Sequence, residues 1–360
     1  ASLTSGVSTI FSTASAFAAL KSDGNVVTWG NPLHGGSSAS KSSSLISGVT
    51  GVSSTRSAFA ALRADKRVVT WGSEDSGGDS STVEEELASD VRQVWSNYRA
   101  FVALKNDGSI VTWGNPECGG DSSSVASELS AGVSKVFSTD CAFAAVKTDG
   151  SVITWGSLEH GGNSSLVADE LAADVRLVFG TSRAFAALKS DGSIVTWGHE
   201  DSGGDSNSVA SELTSGVWNV FSARDAFAAL KSDFVVTWGN PLGGGDSSSV
   251  AAQLTSDVDT LFSSDQAFAA LKSDGSIVSW GSELHGGSSS WISDLTSGVV
   301  DVVGNSMAFA ALRSCAEQVS TPLAKCGSSQ QQEGEDEEEN TASTVQAGKV
   351  LLATLLATVF

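Results

Sequence analysis

The apolar and polar residues of this chain follow a pattern that repeats seven times. Each copy contains, in order, an apolar run V-x-x-V/I-F-S, a nearly uninterrupted run A-F-A-A-L-K and a β-branched run V/I-V-T-W-G. The tryptophan of the third run recurs from Trp29 to Trp280 every 42 residues, with a single step of 41. Short apolar runs bounded by turn residues are typical of strands, so each copy predicts three strands.

A Ser-Asp-Gly turn separates the second and third runs and predicts a tight hairpin, because Asp and Gly tolerate positive φ. The second run places Phe, Leu and Ala on both of its faces, which predicts a strand buried between two neighbouring sheets. A short buried helix is the alternative interpretation. The turn and the β-branched run that follow favour the strand.

The third run leads into G-G-D-S-S-S-V-A-S-E-L, in which Asp or Ser precedes a short apolar stretch and predicts a capped helical turn. A period of about 40 residues with several short strands per unit indicates a propeller, in which no unit buries its own apolar faces. The sequence therefore predicts an all-β fold, a seven-bladed β-propeller of 42-residue repeats over residues 1–313.

The number of blades depends on how the ring closes, because the A-F-A-A-L strand occurs eight times and the Trp strand seven times. In the favoured closure, residues 299–313 pair with residues 25–30 to seal seven blades, and residues 1–20 form an extra flap. In the alternative, residues 318–322 form a degenerate third strand, and the ring has eight blades.

The order G-V-x-x-I/V, A-F-A-A-L-K-x-D-G and V-V-T-W-G, followed by a Gly-bearing loop, resembles the regulator of chromosome condensation repeat family. The 42-residue period and the missing fourth strand are most similar to the propeller-type β-lactamase inhibitor protein within that superfamily. The resemblance covers residues 1–313. It implies a propeller closed by its termini and a protein-binding role such as exchange factor, light-sensing dimer, ubiquitin-ligase part or inhibitor.

The chain also departs from that family. The family's Gly-Gln-Leu-Gly loop is Gly-Gly-Asp-Ser-Ser here, and the Gly-Trp-Arg-His-Thr motif of the plant ultraviolet receptor is absent from the sequence. No ligase domain follows the repeats in this sequence. The resemblance therefore implies binding as a class of function and no particular partner.

Charge narrows the choice of partner. The chain has 20 Lys and Arg against 41 Asp and Glu, for a net charge of −21, and six of the acids lie in residues 333–339. Without those six the charge is still −15. A surface this acidic repels phosphate backbones and anionic lipid. We therefore expect a protein partner and no nucleic acid.

The copies agree at the Ser-Asp-Gly hairpin and differ in the loop between the first and second strands. If the first and third strands run in one direction, this loop and the residues after Trp-Gly lie on one face and the hairpin on the other. Variation confined to one face is typical of a recognition surface, although drift in exposed loops explains it equally well. The candidate partner-binding residues are Arg56, Tyr98, Arg99, Asp140, Arg183, Arg224, Asp225 and Asp265.

Catalytic and metal chemistry finds little support in the sequence. Four of the copies have His34, Cys118, His160 and His285 at the position four residues after the Gly of Trp-Gly. Equivalent positions on neighbouring blades diverge, so we favour exposed loop residues over a metal site. The Gly-Gly-Asp loops lack the several carboxylates that calcium needs. No nucleophile elbow or phosphate-binding loop is present in the sequence, so we expect no cofactor and no enzyme.

The repeat pattern stops at residue 313. Residues 314–345 form a polar, acidic tail that we expect to be disordered, and Cys315 and Cys326 could pair in an oxidising compartment. Residues 346–360 end in an apolar run too short to span a bilayer as a helix. This segment either signals attachment of a lipid anchor or docks as a helix. Association with a membrane depends on the anchor. A cell-surface or extracellular location is weakly favoured.

The sequence therefore predicts a non-enzymatic protein-binding scaffold that recognises its partner with the variable loops. One alternative is a regulator, either an exchange factor or an inhibitor, of a small GTPase or an enzyme. Another is a structural or surface-coat protein, which self-association without a partner would favour.

Overall fold

The computed structural model describes residues 3–232, 234–289, 295–314 and 356–359. These residues form eight antiparallel sheets, and each sheet contains three strands that are consecutive in the chain, with the second strand in the middle. We number them sheets 1 to 8 in chain order. The prediction of an all-β fold with three strands per repeat is confirmed.

The strands have nearly the same length in every sheet. The first strands are Val7–Ser12, Val49–Ser54, Val91–Ser96, Val133–Ser138, Val175–Gly180, Val217–Ser222, Val258–Ser263 and Val299–Gly304. The second strands are Ala16–Lys21, Ala58–Arg63, Ala100–Lys105, Ala142–Lys147, Ala184–Lys189, Ala226–Lys231, Ala267–Lys272 and Phe309–Arg313. The third strands are Val26–Gly30, Val68–Gly72, Ile110–Gly114, Val152–Gly156, Ile194–Gly198, Phe234–Gly239, Ile277–Gly281 and Leu356–Val359.

Two short helical segments follow the third strand in most repeats. The 3₁₀ turns directly after Trp-Gly are Pro32–His34, Glu74–Ser76, Pro116–Cys118, Leu158–His160, Glu200–Ser202, Pro241–Gly243 and Glu283–His285. The connector turns before the next sheet are Ala39–Lys41, Ser81–Val83, Ser123–Val125, Ser165–Val167, Asn207–Glu212 and Ser248–Gln253, with one α-helical turn at Ser42–Leu45.

Asp side chains fix both the hairpins and the connector turns. In the hairpin of sheet 3, the backbone N–H and the hydroxyl of Ser109 donate to Asp107 at 2.9 and 2.7 Å, and Gly108 has a φ of +81°. In the following connector, the N–H of Ser123 donates to Asp121 at 2.8 Å, and these bonds lower the pKa of the Asp121 carboxyl. The predicted hairpins and helical turns are therefore confirmed. The connector Asp accepts from the first N–H of the turn, while the N-cap residue Ser122 makes no side-chain cap bond.

The core lies between consecutive sheets. Ala142 and Ala144 of sheet 4 pack with Val178, Phe185 and Trp197 of sheet 5 in one cluster of buried side chains. Alanine on one side allows the two sheets to approach closely, and Phe and Trp on the other side fill the space. The second strand is thus buried by a neighbour on each face, as its uninterrupted apolar run predicts.

A Gly, a Phe and a Trp lock together each pair of consecutive sheets from sheet 1 to sheet 7. Phe143 stacks on Trp155 within sheet 4 with ring centroids 5.4 Å apart, and the indole N–H of Trp155 donates to the carbonyl of Gly119, in the turn after sheet 3, at 3.0 Å. Gly119 has a φ of +88°, and a Cβ there would lie 2.8 Å from the Phe143 ring. The same indole bond is made by Trp71, Trp113, Trp155, Trp197, Trp238 and Trp280.

The pairing expected for seven blades is wrong. Val26–Gly30 pairs with the second strand of its own sheet, and the third strand of sheet 8 is Leu356–Val359, which runs antiparallel to Phe309–Arg313. The first two strands of sheet 1 are Val7–Ser12 and Ala16–Lys21, so residues 7–20 belong to a sheet and are not a flap. The helical interpretation is also wrong for residues 356–359, because an apolar run can satisfy the open backbone edge of sheet 8 as a strand.

Other predictions for the C-terminal region lie outside the described residues. They concern residues 318–322 as a third strand, the acidic run at 333–339 and the pairing of Cys315 with Cys326. The number of blades and the closure of the ring stay predictions. In the part of the chain that the structure describes, no helix has the length and apolar character needed to cross a membrane.

The indole lock gives a first prediction. We expect Trp155→Phe to lower the free energy of unfolding by about 2 kcal/mol, because it leaves the Gly119 carbonyl unpaired and opens a cavity. Trp218→Phe is the matched control, since that side chain is exposed, and it should stay within about 0.5 kcal/mol of the parent. Chemical denaturation followed by circular dichroism measures both. Equal stabilities for the two variants would contradict the lock.

Candidate functional site

The loops between the first and second strands, which we call the inner loops, meet at one cavity. This cavity has a volume of 960 Å³ and is lined by inner-loop residues of seven successive sheets. The sheets are therefore arranged around a common axis, with the first strands nearest to it. The middle residues of the inner loops that line the cavity are Ala14, Arg56, Tyr98, Asp140, Ser182, Arg224 and Asp265.

A series of backbone hydrogen bonds links the middle residues around the cavity. The N–H of Arg56 donates to the carbonyl of Tyr98 at 3.0 Å, and the N–H of Tyr98 donates to the carbonyl of Asp140 at 3.1 Å. The series begins at Ala14 and reaches Ser306 in sheet 8. Since only backbone atoms take part, the series places no requirement on the side chain at this position.

The first residue of the inner loop has a structural task instead in sheets 1 to 5 and 7. The hydroxyl of Thr55 donates to the carbonyl of Ser76, in the turn after Trp-Gly, at 2.9 Å, and Thr139 bonds the carbonyl of His160 in the same way at 2.8 Å. The inner loops and these turns therefore lie on one face, as the strand directions predict. We call it the loop face, and the opposite one, with the Ser-Asp-Gly turns, the hairpin face.

Charged and aromatic side chains meet across neighbouring sheets at the cavity. The guanidinium carbon of Arg56 lies 4.9 Å from the centroid of the Tyr98 ring, a cation–π contact between sheets 2 and 3. Burial raises the pKa of the Asp140 carboxyl, and the positive charge of Arg224 and of His160 acts against this rise. The cavity thus presents an aromatic side chain together with charges of both signs.

Five of the eight predicted residues line the cavity, and three do not. Arg99, Arg183 and Asp225 occupy the third position of their inner loops and are not among its lining residues. Asp225 accepts hydrogen bonds from the hydroxyls of Ser182 at 2.6 Å and Ser202 at 2.8 Å. This carboxylate therefore fastens its loop to the neighbouring repeat, which is a structural role.

Third-position residues meet the variable residue of the turn after Trp-Gly. Cys141 in the inner loop of sheet 4 forms a disulfide with Cys118 in the turn after sheet 3. The hydroxyl of Ser15, by contrast, lies 2.6 Å from Nδ1 of His34 in the turn of its own repeat. This disulfide was not predicted from the sequence, although the shared face of the two segments and the one Cys in each were the available signal.

The His and Cys residues considered for a metal site are bonded within or between neighbouring repeats. Nδ1 of His160 lies 2.9 Å from the hydroxyl of Ser157, and His285 makes the equivalent contact with Ser282. Burial lowers the pKa of His160. Over the ranges that the structure describes, no three His, Cys, Asp or Glu side chains are grouped as metal ligands.

A second pattern on the loop face involves the residue four positions after each Trp. It is an exposed Leu in sheets 1, 6 and 7 and an exposed acid in sheets 2 to 5. This position therefore divides the loop face into an apolar arc and an acidic arc, although the residue before it is an exposed Leu158 in sheet 4 and an exposed Glu283 in sheet 7. The division was not predicted from the sequence. The residues are Leu33, Leu242 and Leu284 in the apolar arc and Asp75, Glu117, Glu159 and Asp201 in the acidic arc.

No protein-family model and no curated protein matches the sequence. Among solved structures, the chain is similar to human WBSCR16, at 16% identity and a TM-score of 0.41 over 87% of each chain. It is similar to the ectodomain of the Physcomitrella patens receptor kinase CR4, at 15% identity and a TM-score of 0.40, over 76% of this chain and 72% of that one.

A third similar structure is Prp20p from Saccharomyces cerevisiae, whose binding to Gsp1p and histones was studied. It is 13% identical, with a TM-score of 0.38, over 67% of this chain and 72% of that one. At TM-scores below 0.5, we draw no conclusion about this chain from these similarities.

Asp225 gives a prediction that separates a structural role from a recognition role. We expect Asp225→Ala to lower the free energy of unfolding by about 1–2 kcal/mol, because the fully buried hydroxyl of Ser202 loses its acceptor. Asp225→Asn is the control, since its amide oxygen still accepts, and it should lose less. Thermal and urea unfolding measure both. A parent-like stability of Asp225→Ala would show that the carboxylate is dispensable to the fold.

Asp140 gives a pH-dependent prediction. Its pKa is raised in the folded state, so its burial weakens folding as the pH rises through that pKa and has no cost below the unfolded value of about 3.9. We expect Asp140→Asn to stabilise the chain at neutral pH by at most about 1 kcal/mol, because solvent screens a half-buried carboxyl. The gain should vanish near pH 3, about one unit below that unfolded value.

The control is Asp107→Asn. Hydrogen bonds from Ser109 lower the pKa of Asp107, so its contribution has the opposite sign, and this variant should be less stable than the parent at neutral pH. Urea unfolding across the pH range measures both. A loss of stability in Asp140→Asn at neutral pH would refute the effect of burial.

Proposed function

We propose that this chain is a non-enzymatic β-propeller scaffold that binds a partner protein through its loop face. One observation carries the proposal. The middle position of the inner loops is held by backbone hydrogen bonds, and its side chains line a cavity shared by seven sheets. Ser182 is the exception whose hydroxyl also bonds Asp225. Side chains there can differ from sheet to sheet without loss of the scaffold, and recognition surfaces on repeat proteins have this property.

The composition of the loop face favours a protein as partner. Tyr98 and Arg56 are of the residue types that anchor protein interfaces, and Tyr98 is exposed beside the cavity. The acidic arc over sheets 2 to 5 complements a basic surface, and the apolar arc over sheets 6, 7 and 1 offers area that excludes water. We infer a partner with a basic patch next to an apolar one. A net charge of −21 disfavours nucleic acid.

The proposal also covers the location of the protein in or outside the cell and the expectation that it binds no cofactor. The Cys118–Cys141 disulfide favours an oxidising compartment, in agreement with an extracellular or cell-surface location. Attachment to a membrane depends on whether the C-terminal apolar run carries an anchor. The polar and charged groups of the cavity serve recognition in this proposal, with no reaction and no cofactor.

The decisive experiment compares two matched variants in pull-downs from native extract. The loop-face variant carries Arg56→Ala, Tyr98→Ala and Arg224→Ala. The control carries Arg67→Ala, Arg92→Ala and Trp218→Ala, which remove the same kinds of side chain at the other end of the sheets. We expect the loop-face variant alone to lose a specific partner at least about tenfold, equivalent to about 1.4 kcal/mol.

Circular dichroism and melting must be unchanged in both variants for the comparison to hold. A partner that both variants capture equally would contradict recognition by the loop face. If the partner recovered is a small GTPase or an enzyme, assays of nucleotide release or inhibition on that partner test the alternative of a regulator.

A further inference from the structure

The two ends of the sheet array leave apolar faces uncovered. We call the face of a sheet that contacts the preceding sheet its leading face, and the other its trailing face. The Phe of the second strand lies on the leading face and is fully buried in sheets 2 to 8. In sheet 1 the same residue, Phe17, is 43% exposed.

The rest of the leading face of sheet 1 is exposed as well. Ile10 is 57% exposed, whereas its equivalent in sheet 2, Val52, is 8% exposed. Leu3 and Val7 are exposed, although their equivalents in the next repeat are buried in the core between sheets 1 and 2. Sheet 1 therefore presents to solvent several leading-face residues whose equivalents in the next repeat are core residues.

The trailing face of sheet 8 is uncovered in a matching way. Val303 is 59% exposed. Ala310 and Leu312 are only half-buried, whereas the residues at these positions in sheet 1, Ala18 and Leu20, are buried against sheet 2. At each of the seven contacts inside the chain, a trailing face meets a leading face. The two end faces are thus one face of each kind.

We propose that the trailing face of sheet 8 in one copy of the chain packs against the leading face of sheet 1 in a second copy. A second copy fits because the same residue types form each of the seven internal contacts, while residues of both end faces are exposed in this structure. Such a contact is heterologous, because two different surfaces meet, so it joins copies head to tail.

The contact is expected to be reversible. Inside the chain, each contact between consecutive sheets from sheet 1 to sheet 7 also contains the indole bond to a Gly in the turn after Trp-Gly, as Trp71 makes with Gly35. The described part of sheet 8 contains no Trp-Gly turn, so the end contact buries strand faces alone. Association is therefore expected to depend on concentration and to be weaker than the internal contacts. It is independent of the loop face and its partner.

The test uses two variants that each block one end. Ile10→Asp puts a charge on the leading face of sheet 1, and Val303→Asp puts one on the trailing face of sheet 8. Both side chains are exposed in the single chain, so folding should be unaffected. Leu166→Asp is the control, since Leu166 is exposed on a connector away from both ends.

Analytical ultracentrifugation from about 1 μM to about 100 μM measures the mass, covering the range of weak protein association. We expect the parent and Leu166→Asp to rise above the 36.6 kDa monomer with concentration, and each end variant alone to stay monomeric. An equimolar mixture of the two end variants retains one free face of each kind, so it should double in mass and stop there.

Three outcomes would overturn the proposal. A parent that stays monomeric throughout would show that copies do not join. If the parent is monomeric and both end variants are monomers with lowered melting temperatures, the two faces cover each other within one chain. End variants that associate as the parent does would place the contact on another surface.

Discussion

The contact on which this structure depends is the lock between a Gly of one repeat and the Phe and Trp of the next. The Gly adopts positive φ and leaves room for the Phe ring, while its carbonyl accepts the indole N–H, as Gly119 does for Trp155. Each lock requires residues from two repeats, so no sheet is complete by itself. The lock also fixes the distance between sheets, which brings the inner loops together around the axis.

The inner loops divide their three positions between structure and variation. In most repeats the first position bonds the turn after Trp-Gly through its side chain, and the middle position is held by backbone hydrogen bonds to its neighbours. Ser182 adds a bond from its hydroxyl to Asp225. The third position fastens the loop in some repeats, as Asp225 and Cys141 do. Side chains around the cavity can therefore change while the scaffold persists, and this separation supports the proposed role in recognition.

The repetition that builds the core leaves an apolar face without a partner at each end of the sheet array. Seven contacts between sheets leave one leading face and one trailing face without a partner, at Phe17 and at Val303. An array of this kind must close on itself, be capped or associate with another copy, because exposed apolar faces are costly in water. The loop face and the end faces are thus separate surfaces with separate consequences.

The sequence by itself determined the local structure. Strand order, the Asp-Gly hairpins, the connector turns and the buried Phe and Trp follow from residues within one repeat, where short-range sterics and hydrogen bonds decide. The tertiary structure decided the rest. It placed Leu356–Val359 as the third strand of sheet 8, joined Cys118 to Cys141, and separated cavity residues such as Tyr98 from third-position residues such as Arg99. A period shows that the units are alike, but these contacts join distant or inequivalent segments, and only packing in three dimensions selects them.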